Sequence, residues 1–139
     1  MKTVIAYTDG GARGNPGPAA IGVHIVDADG TTVKDVAERI GNSTNNYAEY
    51  YGVMRALATL KALYGKKTRE MQVEVRMDSE LVKKQLSGEY QIKEPGLVPL
   101  YMEIHNLRVA HFPNLTLTHV KRALNKEADR LVNEALDRG

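Results

Sequence analysis

The sequence lacks cysteine and tryptophan altogether, and phenylalanine occurs once in its 139 residues. Without cysteine the chain cannot form disulfides, thiolate metal sites or a cysteine nucleophile. It also lacks any unbroken apolar run of the roughly 18 residues that a membrane-spanning helix requires. Nor does it open on a basic segment followed by an apolar one, which is the pattern of a secretory leader. We therefore expect a cytoplasmic protein with no membrane segment.

The excess of positive charge is small as well. A formal net charge of +2 is too little, by itself, to indicate a nucleic-acid partner. The hydrophobic fraction of 42% and the charged fraction of 26% are those of an ordinary globular protein. A chain of this length buries roughly 68% of its unfolded surface without needing disulfides or a structural metal. We predict a single monomeric domain spanning residues 1–139, whose function depends on where particular side chains lie.

The hydrophobic pattern changes from that of strands to that of helices near residue 44. Residues 2–8, 20–26 and 31–40 are predicted strands, the first stopped by Asp9-Gly10-Gly11 and the second and third joined as a hairpin. Apolar residues at steps of three and four from Tyr50 to Tyr64 predict a long helix that ends at Gly65. Further along, we predict strands at 71–77 and 115–119 and helices at 80–86, from 97 to about 112, and after a capping Asn125. The order indicates an α/β fold with a mixed sheet flanked by helices.

Four acids lie at comparable places on separate predicted elements: Asp9, Glu49, Asp78 and Asp129. Each has an ordinary structural explanation. Asp9 suits a turn before glycine, and Glu49 stands at capping-box spacing from Asn46. Asp78 suits a helix N-cap, and Asp129 suits an ion pair on a solvent-exposed helix face.

Three of these acids are nevertheless expected at one edge of the sheet. Asp9 and Asp78 both end strands that lead into a loop or helix, which is where open α/β sheets gather ligand-binding residues. Glu49 shares its helix face with Gly52 and Ala56, whose small side chains allow that face to approach the sheet closely. The pattern predicts that these carboxylates meet, with that of Asp129 as the fourth.

Asp129 continues the apolar stripe formed by Val132 and Leu136, a costly position for an acid unless a cation is bound beside it. Converging carboxylates would repel one another without a cation. Because every candidate ligand atom is oxygen, hard ions such as Mg²⁺ or Mn²⁺ are favoured over Zn²⁺. Two such ions can activate a water and stabilise the leaving oxygen of a phosphoryl displacement, so the predicted substrate is a phosphodiester.

Five short motifs follow one another along the chain. They are Thr8-Asp9-Gly10-Gly11, Gly14-Asn15-Pro16-Gly17, Thr44-Asn45-Asn46 with Glu49, Met77-Asp78-Ser79, and Asn125 with Asp129. This ordered set resembles ribonuclease H of type 1 over the whole chain. The resemblance implies an RNase H-like fold, with a five-stranded mixed sheet whose first three strands are antiparallel. It also implies Mg²⁺-dependent endonucleolytic cleavage of the RNA strand of RNA/DNA hybrids, leaving 5′-phosphate and 3′-hydroxyl ends.

The resemblance also assigns roles to individual positions. It makes the four acids the catalytic ligands of two Mg²⁺ ions, with Asp9 bridging them, and leaves Mn²⁺ open as the alternative. It places Gly11, Ala12, Arg13, Asn15, Thr44, Asn45 and Asn46 against the substrate. Glycines in the first loop would let the backbone approach the 2′-hydroxyls that distinguish RNA from DNA.

The chain departs from the pattern of many bacterial members in two ways. They insert a basic, tryptophan-bearing helix where this chain has only residues 88–96, so it resembles the compact, archaeal-type form. They also carry a histidine in the loop before the last helix, which is absent here. Arg122 is the best-placed substitute, with a role limited to phosphate or product contact because arginine cannot shuttle protons. His119 alternates with Leu115 and Leu117, and we expect it to be packed.

Several alternatives remain open at this point. The chain could be a catalytically weak or silent module of the same fold that binds hybrids or double-stranded RNA. It could be another nuclease of the superfamily, such as an integrase or a Holliday-junction resolvase. A structural domain with no nucleic-acid role would differ from all of these by not binding Mg²⁺. Whether double-stranded RNA is also a substrate is left open.

Overall fold

The computed structural model describes residues 1–138. Its strands are β1 (Thr3–Ala12), β2 (Gly17–Asp27), β3 (Thr32–Ser43), β4 (Gln72–Met77) and β5 (Leu115–His119). Its α-helices are α1 (Asn45–Tyr64), α2 (Glu80–Leu86), α3 (Val98–His111) and α4 (Lys126–Asp137). Short 3₁₀ helices, which the sequence patterns do not predict, lie at Gly65–Glu70, Pro95–Leu97 and Arg122–Leu124. None of the helices within residues 1–138 is both long and apolar enough to cross a membrane.

The five strands form one mixed sheet in the order β3-β2-β1-β4-β5. β1 pairs antiparallel with β2, and β2 pairs antiparallel with β3. β4 lies parallel to β1, and β5 lies parallel to β4. The predicted mixed sheet with its first three strands antiparallel is confirmed. Because β1 is central and β4 is parallel to it, the carboxyl ends of these two strands meet at one edge of the sheet.

Helices cover both faces of the sheet. Neighbouring residues of β2 belong to different apolar clusters. Ile21 belongs to the large cluster that contains Tyr50 and Leu57 of α1. Ala20 belongs to a smaller cluster that contains Val132 of α4. Successive strand residues point to opposite faces, so α1 and α4 lie on opposite sides. The sheet is therefore held between two helices whose first turns both reach the edge where β1 ends.

Glycines bring α1 into contact with β1. A Cβ added at Gly10 would lie 2.2 Å from the carbonyl carbon and oxygen of Ala48, and one added at Gly52 would lie 2.9 Å from the carbonyl oxygen of Asp9. The predicted close approach of this helix face is present. The prediction that Asp9-Gly10-Gly11 ends the strand is wrong, because β1 continues to Ala12. Gly10 accommodates the helix and makes no turn there.

Candidate metal centre and nucleic-acid groove

Three carboxylates meet at the carboxyl end of the central strands. One oxygen from each of Asp9, Glu49 and Asp78 lies within 4.8 Å of the others. Asp9 belongs to β1, Glu49 to the second turn of α1, and Asp78 directly follows β4. Glu49 does not form a capping box with Asn46, since the cap of α1 is Thr44, whose side chain accepts from the backbone N–H of Tyr47. Glu49 is therefore free to face the other two acids.

The environment of Asp9 and Glu49 opposes their ionisation. Burial is the main cause that raises the pKa of Asp9 from 3.8 to about 7, and the negative charges of Asp78 and Asp129 add to the rise. The hydrogen bond from the Gly10 backbone N–H, 2.9 Å from Asp9 Oδ1, acts in the opposite direction. Burial, followed by the charge of Asp9, also raises the pKa of Glu49 well above its usual value. A cation bound beside Asp9 and Glu49 would favour their ionised forms.

The metal-free protein is expected to lose stability through Asp9 as the pH rises. The folded-state pKa of about 7 exceeds the unfolded value of 3.8. Ionisation of Asp9 therefore does not lower the free energy of unfolding below pH 4, and lowers it increasingly between pH 4 and pH 7. We expect Asp9→Asn in EDTA to melt several degrees above the wild type at pH 8, and with a much smaller difference at pH 5. Thermal melts followed by circular dichroism measure this. A difference that does not change with pH would contradict the account.

Asn125 anchors Asp78 from the opposite side. Its side chain is 1% exposed, and its Nδ2 donates to the Thr8 carbonyl at 2.9 Å and to Asp78 Oδ2 at 3.3 Å. Asn125 is the N-cap residue of the last helix, as predicted, but within residues 1–138 its side chain makes no capping hydrogen bond. The amide is buried under the sheet edge and links β1 to Asp78. A buried amide and a helix cap use the same residue type, so the sequence does not distinguish them.

Asn125→Ala should reduce both stability and turnover. The substitution leaves the Thr8 carbonyl without its side-chain donor and releases Asp78, which we expect to cost about 1–3 kcal/mol. We expect kcat on a hybrid substrate to fall by roughly tenfold, since Asp78 loses a fixed orientation. Asn114→Ala is the control, because Asn114 is exposed and, within residues 1–138, its side chain donates only to the carbonyl of Arg69 at 3.4 Å. Equal kcat values for the two variants would show that Asn125 does not orient Asp78.

Asp129 is placed differently from the other three acids. It is exposed, and it is not one of the three whose oxygens lie within 4.8 Å of one another. Val132 and Leu136 are buried and line the same groove as Asp129, so Asp129 continues their stripe as predicted, but at an exposed position. Asp129 lies in the first turn of α4. It lines that groove of about 410 Å³ together with Asp9, Glu49 and Asp78.

The loop between β1 and β2 is fastened to the start of α1. Asn45 Oδ1 accepts from the backbone N–H of Ala12 at 2.8 Å, and the Asn45 backbone N–H donates to Asn15 Oδ1 at 3.0 Å. Gly11, Ala12 and Asn45 line the groove. The structure therefore brings these predicted substrate positions together beside the acids.

The remaining predicted positions differ in whether they line the groove, which Thr44 and Asn15 do not. Thr44 is engaged as the cap of α1, with its Oγ1 3.2 Å from the Tyr47 backbone nitrogen. Asn46 lines the groove and donates to Glu94 Oε1 at 3.3 Å. Arg122 is exposed at the start of the 3₁₀ helix before α4 and lines the same groove.

His119 is exposed, so the prediction that it is packed is wrong. It is the last residue of β5, and β5 is an edge strand. The alternation with Leu115 and Leu117 places these residues on one face, along which burial falls from Leu115 through Leu117 to His119.

The comparisons with known proteins agree with this architecture. A family model described as reverse transcriptase-like matches residues 7–135. The solved structure of LC11-RNase H1, isolated from compost by a metagenomic approach, matches with a TM-score of 0.94 at 49% identity, over 99% of this chain and 98% of that one. The chain belongs to the type 1 ribonuclease H family. A second structure of LC11-RNase H1, in complex with an RNA/DNA hybrid, matches with a TM-score of 0.93 over 97% of each chain.

Two curated relatives show how much of a longer protein the chain matches. Ribonuclease HI of Halobacterium salinarum is 43% identical over 96% of this chain and 64% of that protein. The solved structure of its RNase H1 matches with a TM-score of 0.89 at 42% identity over 99% of each chain. A bifunctional protein of Mycobacterium tuberculosis is 41% identical over 99% of this chain, which corresponds to 36% of that protein. The chain thus spans less than two thirds of these curated relatives.

Proposed function

We propose that this chain is an endoribonuclease that hydrolyses the RNA strand of RNA/DNA hybrids by a two-metal-ion mechanism, giving 5′-phosphate and 3′-hydroxyl ends. The observation that carries the proposal is the approach of Asp9, Glu49 and Asp78 to within 4.8 Å at the floor of an open groove. Membership of the type 1 ribonuclease H family supports the assignment. Because all of these acids come from one chain, we infer that the monomer is sufficient for activity.

The donor set fits divalent hard cations. Asp9, Glu49 and Asp78 offer only carboxylate oxygens, and Asp129 at the rim of the groove adds a fourth. We assign Mg²⁺ as the physiological ion and Mn²⁺ as an active substitute, since both prefer oxygen ligands. When bound, the two ions supply Lewis acidity to the attacking water and to the leaving oxygen. The raised pKa values of Asp9 and Glu49 mean that these acids gain more from a cation than solvated carboxylates do.

The protein's own part is to orient the scissile phosphate over the acids. The backbone at Gly11 and Ala12 lines the groove without bulky side chains, and we assign it to the 2′-hydroxyls of the RNA strand. Asn15, Asn45 and Asn46, with Thr44, are assigned to sugar, base-edge and phosphate contacts of the hybrid, and Arg122 to a phosphate. The LC11-RNase H1 complex supports a hybrid as ligand, because that protein is 49% identical to this chain.

A comparison of four labelled substrates tests the proposal. We expect cleavage of an RNA/DNA hybrid in Mg²⁺, no cleavage of duplex DNA or single-stranded RNA, and no product in EDTA. Duplex RNA is the fourth substrate, because its strands also carry 2′-hydroxyls. Equal cleavage of the hybrid and single-stranded RNA would contradict the assignment of hybrid specificity. Cleavage of duplex DNA alone would favour another nuclease of the superfamily.

A further inference from the structure

Arg13 lies in the β1–β2 loop and is bound to the far end of α4. Its Nη2 donates to Asp137 Oδ1 at 2.6 Å and to Asn133 Oδ1 at 3.5 Å. Asn133 in turn donates through Nδ2 to the carbonyl of Asp129 at 3.2 Å. These contacts connect a loop that lines the groove with the helix that carries Asp129.

The contact between Arg13 and Asp137 is not one that stabilises the fold appreciably. The two side chains are 49% and 67% exposed, and ion pairs so open to water contribute little because solvent and salt screen them. Residues 13–16 are exposed, so no apolar packing fixes the direction of the Arg13 side chain. The main effect of the contact is therefore to position the guanidinium group of Arg13.

That position leaves the rest of the guanidinium available. Within residues 1–138 neither Nη1 nor Nε of Arg13 has a hydrogen-bond partner, and the residue lines the groove that contains the acids. A guanidinium is planar and rigid, so fixing Nη2 also fixes the direction of its other donors. Such donors match the geometry of a phosphate, which accepts two parallel hydrogen bonds.

We propose that Asp137 is a positioning residue for substrate binding, which with Asn133 holds Arg13 so that its free donors meet a phosphate of the bound hybrid. This rests on the proposed function, since the groove must receive a hybrid. It also predicts a change in hybrid affinity that is opposite in direction to the change expected from charge alone. An acid near a polyanion ordinarily weakens binding by repulsion, so removing it should strengthen binding. Removing Asp137 should instead weaken binding.

Glu134 provides the matched control. It lies on the same helix, is exposed, and pairs with Arg130 at 2.8 Å, with no contact to Arg13. Asp137→Ala and Glu134→Ala therefore remove the same charge from neighbouring turns. The dissociation constant of a fluorescent RNA/DNA hybrid is measured by anisotropy in Mg²⁺, with Asp9→Asn as the background so that the hybrid stays intact. Steady-state KM and kcat are measured without that background change.

We expect Asp137→Ala to raise the dissociation constant and KM by about fivefold with kcat nearly unchanged, and Glu134→Ala to leave them equal or slightly lower. Arg13→Ala should have the same effect as Asp137→Ala, and the double variant should be no weaker than Arg13→Ala alone. The slope of log affinity against log salt should fall by about one when Arg13 is lost. Asp137→Glu should restore part of the affinity, and all melting temperatures should stay close to that of the wild type.

Two results separate this inference from the proposed function. If the wild type neither binds nor cuts the hybrid, both are wrong. If the wild type cuts the hybrid but Asp137→Ala binds it as tightly as Glu134→Ala does, the proposed function stands and Asp137 is not a positioning residue. Tighter binding by Asp137→Ala than by Glu134→Ala would likewise overturn the inference, because Asp137 would then compete with the substrate for Arg13.

Discussion

Asp9→Asn is expected to abolish measurable hydrolysis of the RNA strand, with a loss in kcat of roughly 10³-fold or more. Asp9 is the acid on the central strand, and its carboxylate lies within 4.8 Å of those of both Glu49 and Asp78. An amide has almost the same shape but no negative charge, so the site loses affinity for divalent cations while its packing is kept. The carbonyl oxygen of asparagine can still accept from the Gly10 backbone N–H, as Asp9 Oδ1 does at 2.9 Å.

Controls must separate loss of chemistry from loss of structure. Glu103→Gln makes the same carboxyl-to-amide change at an exposed position of α3, and we expect wild-type turnover from it. Isothermal titration with Mn²⁺ should show binding to the wild type and to Glu103→Gln, and little or none to Asp9→Asn. If Asp9→Asn keeps wild-type turnover in Mg²⁺, the assignment of the metal centre is wrong.

Gly10→Ala is expected to produce a large loss of stability. Its Cβ would lie 2.2 Å from the carbonyl carbon and oxygen of Ala48 and 2.5 Å from the nitrogen of Glu49, and all of these are backbone atoms of α1. A helix backbone cannot move aside as a flexible side chain can. We expect a loss of about 3 kcal/mol or more, measured by urea denaturation. The displaced Glu49 should also reduce turnover.

The adjacent glycine is the control for this effect. A Cβ at Gly11 would come no closer than 3.8 Å to its nearest neighbour, Val132 Cγ1, which is ordinary van der Waals contact. Gly11→Ala should therefore change the free energy of unfolding by less than about 1 kcal/mol. Similar losses from the two variants would mean that α1 does not lie as close to β1 as the structure places it.

The long elements of the fold could be predicted because their patterns are local. The helical spacing from Tyr50 to Tyr64 and the glycine that follows gave α1 its correct end, since Gly65 has a positive φ of 54°. The bounds predicted for α2 equal those observed, since Ser79 caps it and accepts from Val82 at 3.2 Å. The end of β1 was misplaced because glycine serves two purposes. At Gly10 the absence of a side chain allows α1 to pack against the strand. The chain turns later, at residues 13–16, where Gly14 has a positive φ.

The sequence predicts the positions of those site residues that lie at strand ends or on a recognisable helix face. Asp9 and Asp78 follow from the meeting of parallel strand ends, and Glu49 follows from the small residues beside it. The exposure of Asp129 and the burial of Asn125 depend on how the start of α4 meets the sheet edge. No local sequence pattern predicts how the start of α4 packs against the sheet edge. Nor could the partner of Arg13 be found from the sequence, because Asp137 lies 124 residues away along the chain.

We propose that the carboxylate cluster hydrolyses a hybrid and that the groove beside it selects the RNA strand. This central claim is tested most directly by one hybrid prepared twice, with the label on the 5′ end of the RNA strand or of the DNA strand. We predict that Mg²⁺ produces internal cuts in the labelled RNA strand, whose products end in 3′-hydroxyls, and that the labelled DNA strand stays intact. Cutting of the DNA strand, products formed in EDTA, or no cutting of either strand would contradict the account.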